Sequence, residues 1–239
     1  MKEGIGIKEQ NSYAPILDGI GENDYTRYMK TDTLLSLQRT AEERIHRDEL
    51  LFQIVHQSTE LWLKLSCHEL SQAIEFVKKR DLENAAALTI RAAFAIGLIT
   101  NQLEMLKFMT PWDFQGVRPA LGHGSGLESP GWISVRNVGK LMHDAFEELI
   151  AAENLDLIEL YKEKRNTAMF NLCEALIEWD ENVALWRTRH YKVAVRTIGH
   201  NSIGTKGTPV DKLAKLLNKK FFPMLWEVRS ALSGMADPY

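Results

Sequence analysis

No proline lies between Pro15 and Pro111, and none between Pro130 and Pro209. A pyrrolidine ring removes a backbone donor and breaks a helix interior, so both long stretches are free to be helical. Neither contains strand-like alternation bounded by turn residues. Apolar periodicity predicts helices at about 31–38, 47–79, 82–109, 137–152, 155–198, 209–219 and 222–233. The stretch 155–198 is expected to break internally, since few globular helices run that long without caps. Two starts share one signature: Thr110-Pro-x-Asp113 and Thr208-Pro-x-Asp211 each offer a Thr N-cap, a Pro at the first helical position and a carboxylate in the first turn. The expectation is an all-α protein, with an N-terminal arm over 1–24 and a single helical domain over 25–239.

Charge and cysteine content exclude several function classes. A formal net charge of −3 gives no basic footprint for nucleic acid or an anionic membrane. The two cysteines, Cys67 and Cys173, form neither a disulfide framework nor a CxxC motif, and both are expected as buried free thiols. The first 24 residues lack the apolar core of a signal sequence. The most lipid-like run, Ala85 to Thr100, is interrupted by Arg91 and is too short to span a bilayer. A cytoplasmic protein is expected, with no nucleic-acid or membrane partner.

The segment from His46 to Leu70 places a histidine inside a greasy helix. Leu51, Ile54, Val55, Leu61, Trp62 and Leu65 make one apolar stripe, and Phe52, His56, Thr59 and Leu63 make a second. An imidazole left dry and unpaired costs about 1–3 kcal/mol, so His56 needs a partner. Either it is a core histidine bonded to a carbonyl, or Phe52 and His56, one turn apart, line a cavity and face a ligand.

Eight of the fifteen glycines fall in two patches, Gly116 to Gly131 and Gly199 to Gly207. Both connect helices, where binding groups concentrate. Arg118 in the first patch and Thr205 in the second are suited to gripping a small zwitterion. GHGSG is neither a dinucleotide fingerprint nor a nucleophile elbow. His123, His143 and His200 read as surface residues. In Trp186-Arg-Thr-Arg-His190, Trp186 and His190 share a face, with Arg187 and Arg189 flanking. A structural histidine explains this cluster; so does a haem, with imidazole on the iron and cations at the propionates.

Three blocks carry a resemblance: HRDELLFQIVHQSTELWLKLSCHEL, TPWDFQGVRPALGHGSGLES and LWRTRHYKVAVRTIGHNSIGT. In that order, and preceded by DYTRYMKTDTLLSLQ, they are similar to successive signature blocks of the tryptophan 2,3-dioxygenase superfamily, over most of residues 24–229. The resemblance implies a helical bundle binding b-type haem, assembled as a homotetramer or homodimer, acting on L-tryptophan or an analogue with O2. It implies that His190 ligates the iron, with Trp186 and Arg187 in the same cofactor site. His56 would face the indole N–H, Phe52 would pack on the indole ring, and Arg118 would fork the carboxylate. Ser125 and Gly126 would lie beside the oxygen site, and Thr205 would contact the ammonium and carboxylate. Tyr25, Tyr28 and Met29 would reach into a neighbouring subunit's pocket.

The match departs from the family pattern in three places. Phe114 stands where the family has a tyrosine, and the lost hydroxyl is worth about 0.5–1.5 kcal/mol of carboxylate grip. The loop Gly204-Thr-Lys-Gly-Thr-Pro-Val210 replaces a G-T-G-G-S-S-G loop and lies one residue further from His190. The segment between Trp132 and Trp186 is shorter. Two chemistries are therefore expected: ring-opening dioxygenation of tryptophan to N-formylkynurenine, as in tryptophan catabolism, or monooxygenation of tryptophan or a related amino acid in secondary metabolism. A non-catalytic haem sensor is the third reading, and Arg118 and Thr205 argue against it.

Overall fold

The structure is a computed structural model that describes residues 14–163, 166–200, 202–204, 207 and 209–235, with backbone alone at 211 and 212. Contacts divide the chain into two units, one up to Arg44 and one from Ile45 onward. Among the described residues there is no named strand, and the isolated bridge between Ile203 and Pro209 is the one extended pairing.

The first unit carries two short helices, α1 (Asp24–Met29) and α2 (Thr31–Leu35). Asn23 and Thr26 form a reciprocal capping box at the start of α1. Lys30, at φ 52°, separates the two helices. The Asp24 carboxylate accepts from the Ile16 and Leu17 backbone amides, and Arg27 donates to the Leu17 and Gly21 carbonyls. Neither helix buries a residue, and Tyr25, Tyr28 and Met29 are exposed.

The second unit is built on four long helices: α3 (Glu49–Lys78), α4 (Leu82–Gln102), α6 (Pro130–Glu153) and α8 (Ala168–Ile198). Three shorter ones complete it: α5 (Pro111–Val117), α7 (Leu157–Glu163) and α9 (Pro223–Met235). Helix α4 packs against both α3 and α8, and α6 packs against α3. The alanines of α4 (Ala85, Ala86, Ala92, Ala93 and Ala95) are buried and let its neighbours approach closely. Leu63, Leu70, Ile96, Ile99, Met142, Phe146, Leu172, Leu176 and Trp179 fill the space between the long helices. The run Leu82–Phe108 is long and apolar enough to cross a membrane, yet its buried face is occupied by α3 and α8.

The structure revises four expectations. The side of α3 turned to the core carries Val55, Thr59, Leu63, Ser66, Leu70 and Ile74, while Ile54, Leu61, Trp62 and Leu65 of the expected first stripe are exposed. Apolar residues surround this helix, so periodicity alone does not choose the core side. The two buried hydroxyls are satisfied instead: Thr59 donates to the Val55 carbonyl at 2.7 Å and Ser66 to the Ala92 carbonyl at 2.9 Å. Helix α6 starts at Pro130 rather than 137, because Ser129 caps the Trp132 amide and Pro130 takes the first helical position. The expected helix 82–109 ends as a 3-10 segment, Leu103–Phe108. His143 is half-buried, its Nδ1 has no partner among the described residues, and its Nε2 lies 3.3 Å from Glu147.

The stretch 155–198 does break, between Glu163 and Ala168, with Asn166 at φ 62° and Thr167 capping the Phe170 amide. The Thr110 cap forms as a full capping box with Asp113, whereas Thr208 lies outside the described residues. Both cysteines are free, but only Cys173 is buried as expected and Cys67 is half-buried; burial raises the Cys67 thiol to about 11 and that of Cys173 to about 12.

Two carboxylates pin the ends of short elements to the frame. Asp180 of α8, 2% exposed, accepts from the Phe221 and Phe222 amides and the Trp226 indole, fixing the entry to α9. Glu60 of α3 accepts from the Ser129 hydroxyl at 2.5 Å and the Gly131 amide at 2.8 Å, fixing the N-terminus of α6. A Cβ on Gly131 would stand 2.7–2.8 Å from Leu63, which is fully buried, and 2.6 Å from the Glu60 carboxylate. Gly131→Ala is therefore expected to lower unfolding free energy by about 1–3 kcal/mol, whereas Gly126→Ala, with nothing within 4 Å of its added carbon, stays within about 0.5 kcal/mol. Urea denaturation of the two variants checks this.

Candidate functional site

At the end of the bundle where α3 and α8 meet the glycine-rich connections lies a cavity of about 270 Å³. A small apolar cluster, Val55, Leu103, Leu106 and Val193 flanked by Leu51, Phe52 and Trp186, adjoins it, and Leu106, Val193, Phe52 and Trp186 line the cavity. Helix α3 contributes Phe52 and His56, and α8 contributes Trp186, Arg187, His190, Val193 and Thr197. Phe114 comes from α5, with Arg118 one turn on. The Gly-rich connection adds Ser125 and Gly126, and α6 adds Trp132 and Arg136. Ile203, Gly204, Pro209 and Val210 close the remaining side.

The cavity thus brings together Phe52, His56, Arg118, Ser125, Gly126, Trp186, Arg187 and His190 of the residues expected to form a site. Gly204 lines it, while the adjoining Thr205 and Lys206 lie outside the described residues. Tyr25, Tyr28 and Met29 belong to the first unit. Arg189 does not line the cavity: it pairs with Glu104.

The two histidines sit in complementary states. His56 stacks on Phe52, centroids 4.0 Å apart, and its Nδ1 lies 2.7 Å from the Phe52 carbonyl. A carbonyl only accepts, so the proton is on Nδ1 and Nε2 carries a lone pair. His56 opens onto the cavity while protein surrounds it elsewhere; that burial lowers its pKa, against smaller opposing effects from the Phe52 carbonyl and Glu60. His190 stacks on Trp186 at 4.8 Å, nearly parallel at 8°. It has no hydrogen bond among the described residues. Burial first, then His56, pushes its pKa down to about 4. Both rings are neutral near pH 7, and His190 is free to ligate a metal.

Arg118 donates from Nη2 to the Ile203 carbonyl at 2.8 Å, tethering the second glycine loop while its other N–H groups have no partner among the described residues. That loop turns back on itself through Val210 N to Ser202 O and Gly207 N to Gly204 O, with Gly207 at φ 70°. Ser125 caps a short turn, accepting from the Leu127 amide while its own amide donates to Glu128. Phe114 stands 6.3 Å from Phe52 and completes an aromatic wall without a hydroxyl. Arg187 donates to the Leu216 and Lys219 carbonyls and lies over Phe221.

Sequence reasoning missed Trp132 and Arg136 as site residues. They lie one turn apart on α6, and Trp132 packs on Trp186 with centroids 4.0 Å apart. Their spacing was legible, but only once Ser129-Pro130 is read as the start of α6. Glu60, one turn beyond His56, was also missed; it holds the loop carrying Ser125 and Gly126 through Ser129.

An all-helical frame brings two imidazoles, an aromatic wall and three arginines to one cavity, a lining suited to a flat aromatic ligand that carries an acid. The comparisons with known proteins agree. The family model described as tryptophan 2,3-dioxygenase matches residues 16–144. A tryptophan 2,3-dioxygenase of Myxococcus xanthus is 30% identical, covering 91% of this chain and 92% of its own length. One from Rhodococcus jostii is 31% identical over 87% and 91%, and one from Bacillus thuringiensis 28% identical over 87% and 92%. The chain belongs to the tryptophan 2,3-dioxygenase family.

The histidine assignments are testable in solution. Nitrogen-15 NMR of histidine-labelled protein should place the His56 proton on Nδ1, with a titration midpoint below the ordinary 6.5. Because its folded pKa lies below the unfolded one, His56 costs nothing above about pH 6.5; below it the unfolded chain takes up the proton first, so this group lowers stability as pH falls. A His56 signal protonated at Nε2 would contradict the structure.

Proposed function

We infer that this protein is a haem-dependent oxygenase of L-tryptophan, adding both atoms of O2 across the indole C2=C3 bond and opening the ring to N-formylkynurenine. The observation that carries this reading is the pair of cavity histidines: His190 stacks on Trp186 with no hydrogen bond among the described residues, and His56 has its Nδ1 proton tied to the Phe52 carbonyl. Haem b fits the residues present. His190 would ligate the iron, Trp186 stacks behind that imidazole, and the wall is otherwise apolar and cationic. The bound ferrous haem would supply activation of dioxygen, chemistry no side chain here provides.

The remaining work falls to the chain itself. Phe52 offers a flat face to an indole, and His56 Nε2 accepts the indole N–H as charge develops on the ring. Arg118 takes the substrate carboxylate with the N–H groups not used on Ile203, a planar fork that lysine lacks. Thr205, outside the described residues, would by the family resemblance contact the ammonium and carboxylate. Fixing both ends of the amino acid holds the C2=C3 bond in near-attack position. Ser125 and Gly126, held by Glu60 through Ser129, line the oxygen side and exclude water.

One observation favours a second reading. Phe114 gives the carboxylate end no hydroxyl, so the substrate is held less tightly than a tyrosine would hold it. A looser substrate suits insertion of one oxygen atom into tryptophan or a related aromatic amino acid, with two electrons from a co-reductant reducing the other atom to water.

Assembly into a homotetramer or homodimer belongs to the same proposal. Ile54, Leu61 and Leu65 on α3 and Ile90 and Phe94 on α4 leave an exposed apolar face, and Tyr25, Tyr28 and Met29 are exposed on α1 for a neighbouring copy.

Reaction of the ferrous holoprotein with L-tryptophan and 18O-labelled dioxygen, with and without ascorbate as a two-electron donor, tests the reading. A ring-opened product with two labelled atoms is expected. One labelled atom in an intact ring system would replace it with the second reading, and no product from any aromatic amino acid would reject both.

A further inference from the structure

The described cavity wall contains no carboxylate, but three guanidinium groups: Arg118, Arg136 and Arg187. They fall into two sets. Arg118 is tied to the Ile203 carbonyl beside the α5 wall that carries Phe114. Arg136 and Arg187 instead flank the stacked rings that lead to His190. Trp132, one turn before Arg136 on α6, packs on Trp186 at 4.0 Å, and Trp186 precedes Arg187 and stacks on His190.

Arg136 and Arg187 lie close enough to oppose each other's charge. Burial is the larger cause lowering the Arg187 pKa, Asp180 acts against it, and Arg136 lowers it further. No anion on the cavity wall relieves them. Asp180 is committed to the Phe221 and Phe222 amides and the Trp226 indole. Arg187 spends N–H groups on the neutral Leu216 and Lys219 carbonyls, and Arg136 has no hydrogen bond or ion pair among the described residues. The indole N–H groups of Trp132 and Trp186, buried in the same wall, likewise have no acceptor among the described residues.

Charge counting then separates the ligands. An amino-acid substrate brings one carboxylate and satisfies one arginine. Two cations remain, on the His190 side, and Arg136 is exposed to solvent while lining the cavity, which puts it at the opening. An apolar macrocycle with two carboxylates on one edge matches this layout: the ring goes inward and the acids stay at the mouth. We propose that Arg136 and Arg187 form a two-point clamp for the propionate carboxylates of the haem, leaving Arg118 to the substrate. The proposal rests on the haem reading above.

The test compares iron protoporphyrin IX with its dimethyl ester, titrated into the full-length protein and followed by the Soret band. Wild type is expected to bind the diacid at least about tenfold more tightly, as hydrogen bonds between charged groups are worth enough to produce. Arg136→Gln should lose most of that preference while binding the ester as wild type does. Arg187→Gln should do the same, but Arg187 also anchors the segment before α9, so Arg136→Gln is the diagnostic variant. Equal affinity of wild type for diacid and ester, or an undiminished preference in Arg136→Gln, overturns the clamp alone. If neither porphyrin gives a Soret shift that His190→Ala abolishes, the haem reading fails, and the clamp with it.

Discussion

The 2.7 Å contact between His56 Nδ1 and the Phe52 carbonyl decides what the cavity can do. A helix normally spends that carbonyl on the amide one turn later; here it also takes the side chain of the same residue. The bond fixes the tautomer, lays the imidazole on the Phe52 ring, and leaves Nε2 as a bare acceptor. Without it, His56 is one more polar group in an apolar pocket. With it, the pocket has a place for a hydrogen-bond donor on a flat aromatic ligand.

The frame holds that acceptor in the same cavity as a second imidazole, His190. Helix α3 runs for 30 residues and α8 for 31, and both cross from the main core into the small cluster that adjoins the cavity. Their packing through α4 is dry and close, because alanines and fully buried leucines and isoleucines fill it. Rigid helices therefore carry the two histidines, while connections supply Ser125, Gly126, Ile203 and Gly204 to the wall. Those connections are not left loose: Glu60 holds the first at Ser129, and Arg118 holds the second at Ile203.

Much of this was legible in the amino-acid order, and the exceptions have physical reasons. Proline spacing gave the all-α class, and Thr110-Pro-x-Asp113 gave a cap that forms as written. The inward side of α3 was legible only in part: Thr59 and Leu63 of the second stripe do face the core, whereas Ser66 looks polar and is buried through its bond to the Ala92 carbonyl. The start of α6 was concealed in a glycine-rich stretch that reads as loop, and with it went Trp132 and Arg136. The role of Asp180 depends on amides 41 and 42 residues away, a pairing that no local pattern announces.

The central claim is that His190, and not His56, carries the iron. Electron paramagnetic resonance and visible spectra of the ferric holoprotein, compared across His190→Ala and His56→Ala, test it most directly. The account predicts a spectrum with a single axial imidazole that survives in His56→Ala and disappears in His190→Ala. An axial imidazole that disappears in His56→Ala and persists in His190→Ala would contradict it.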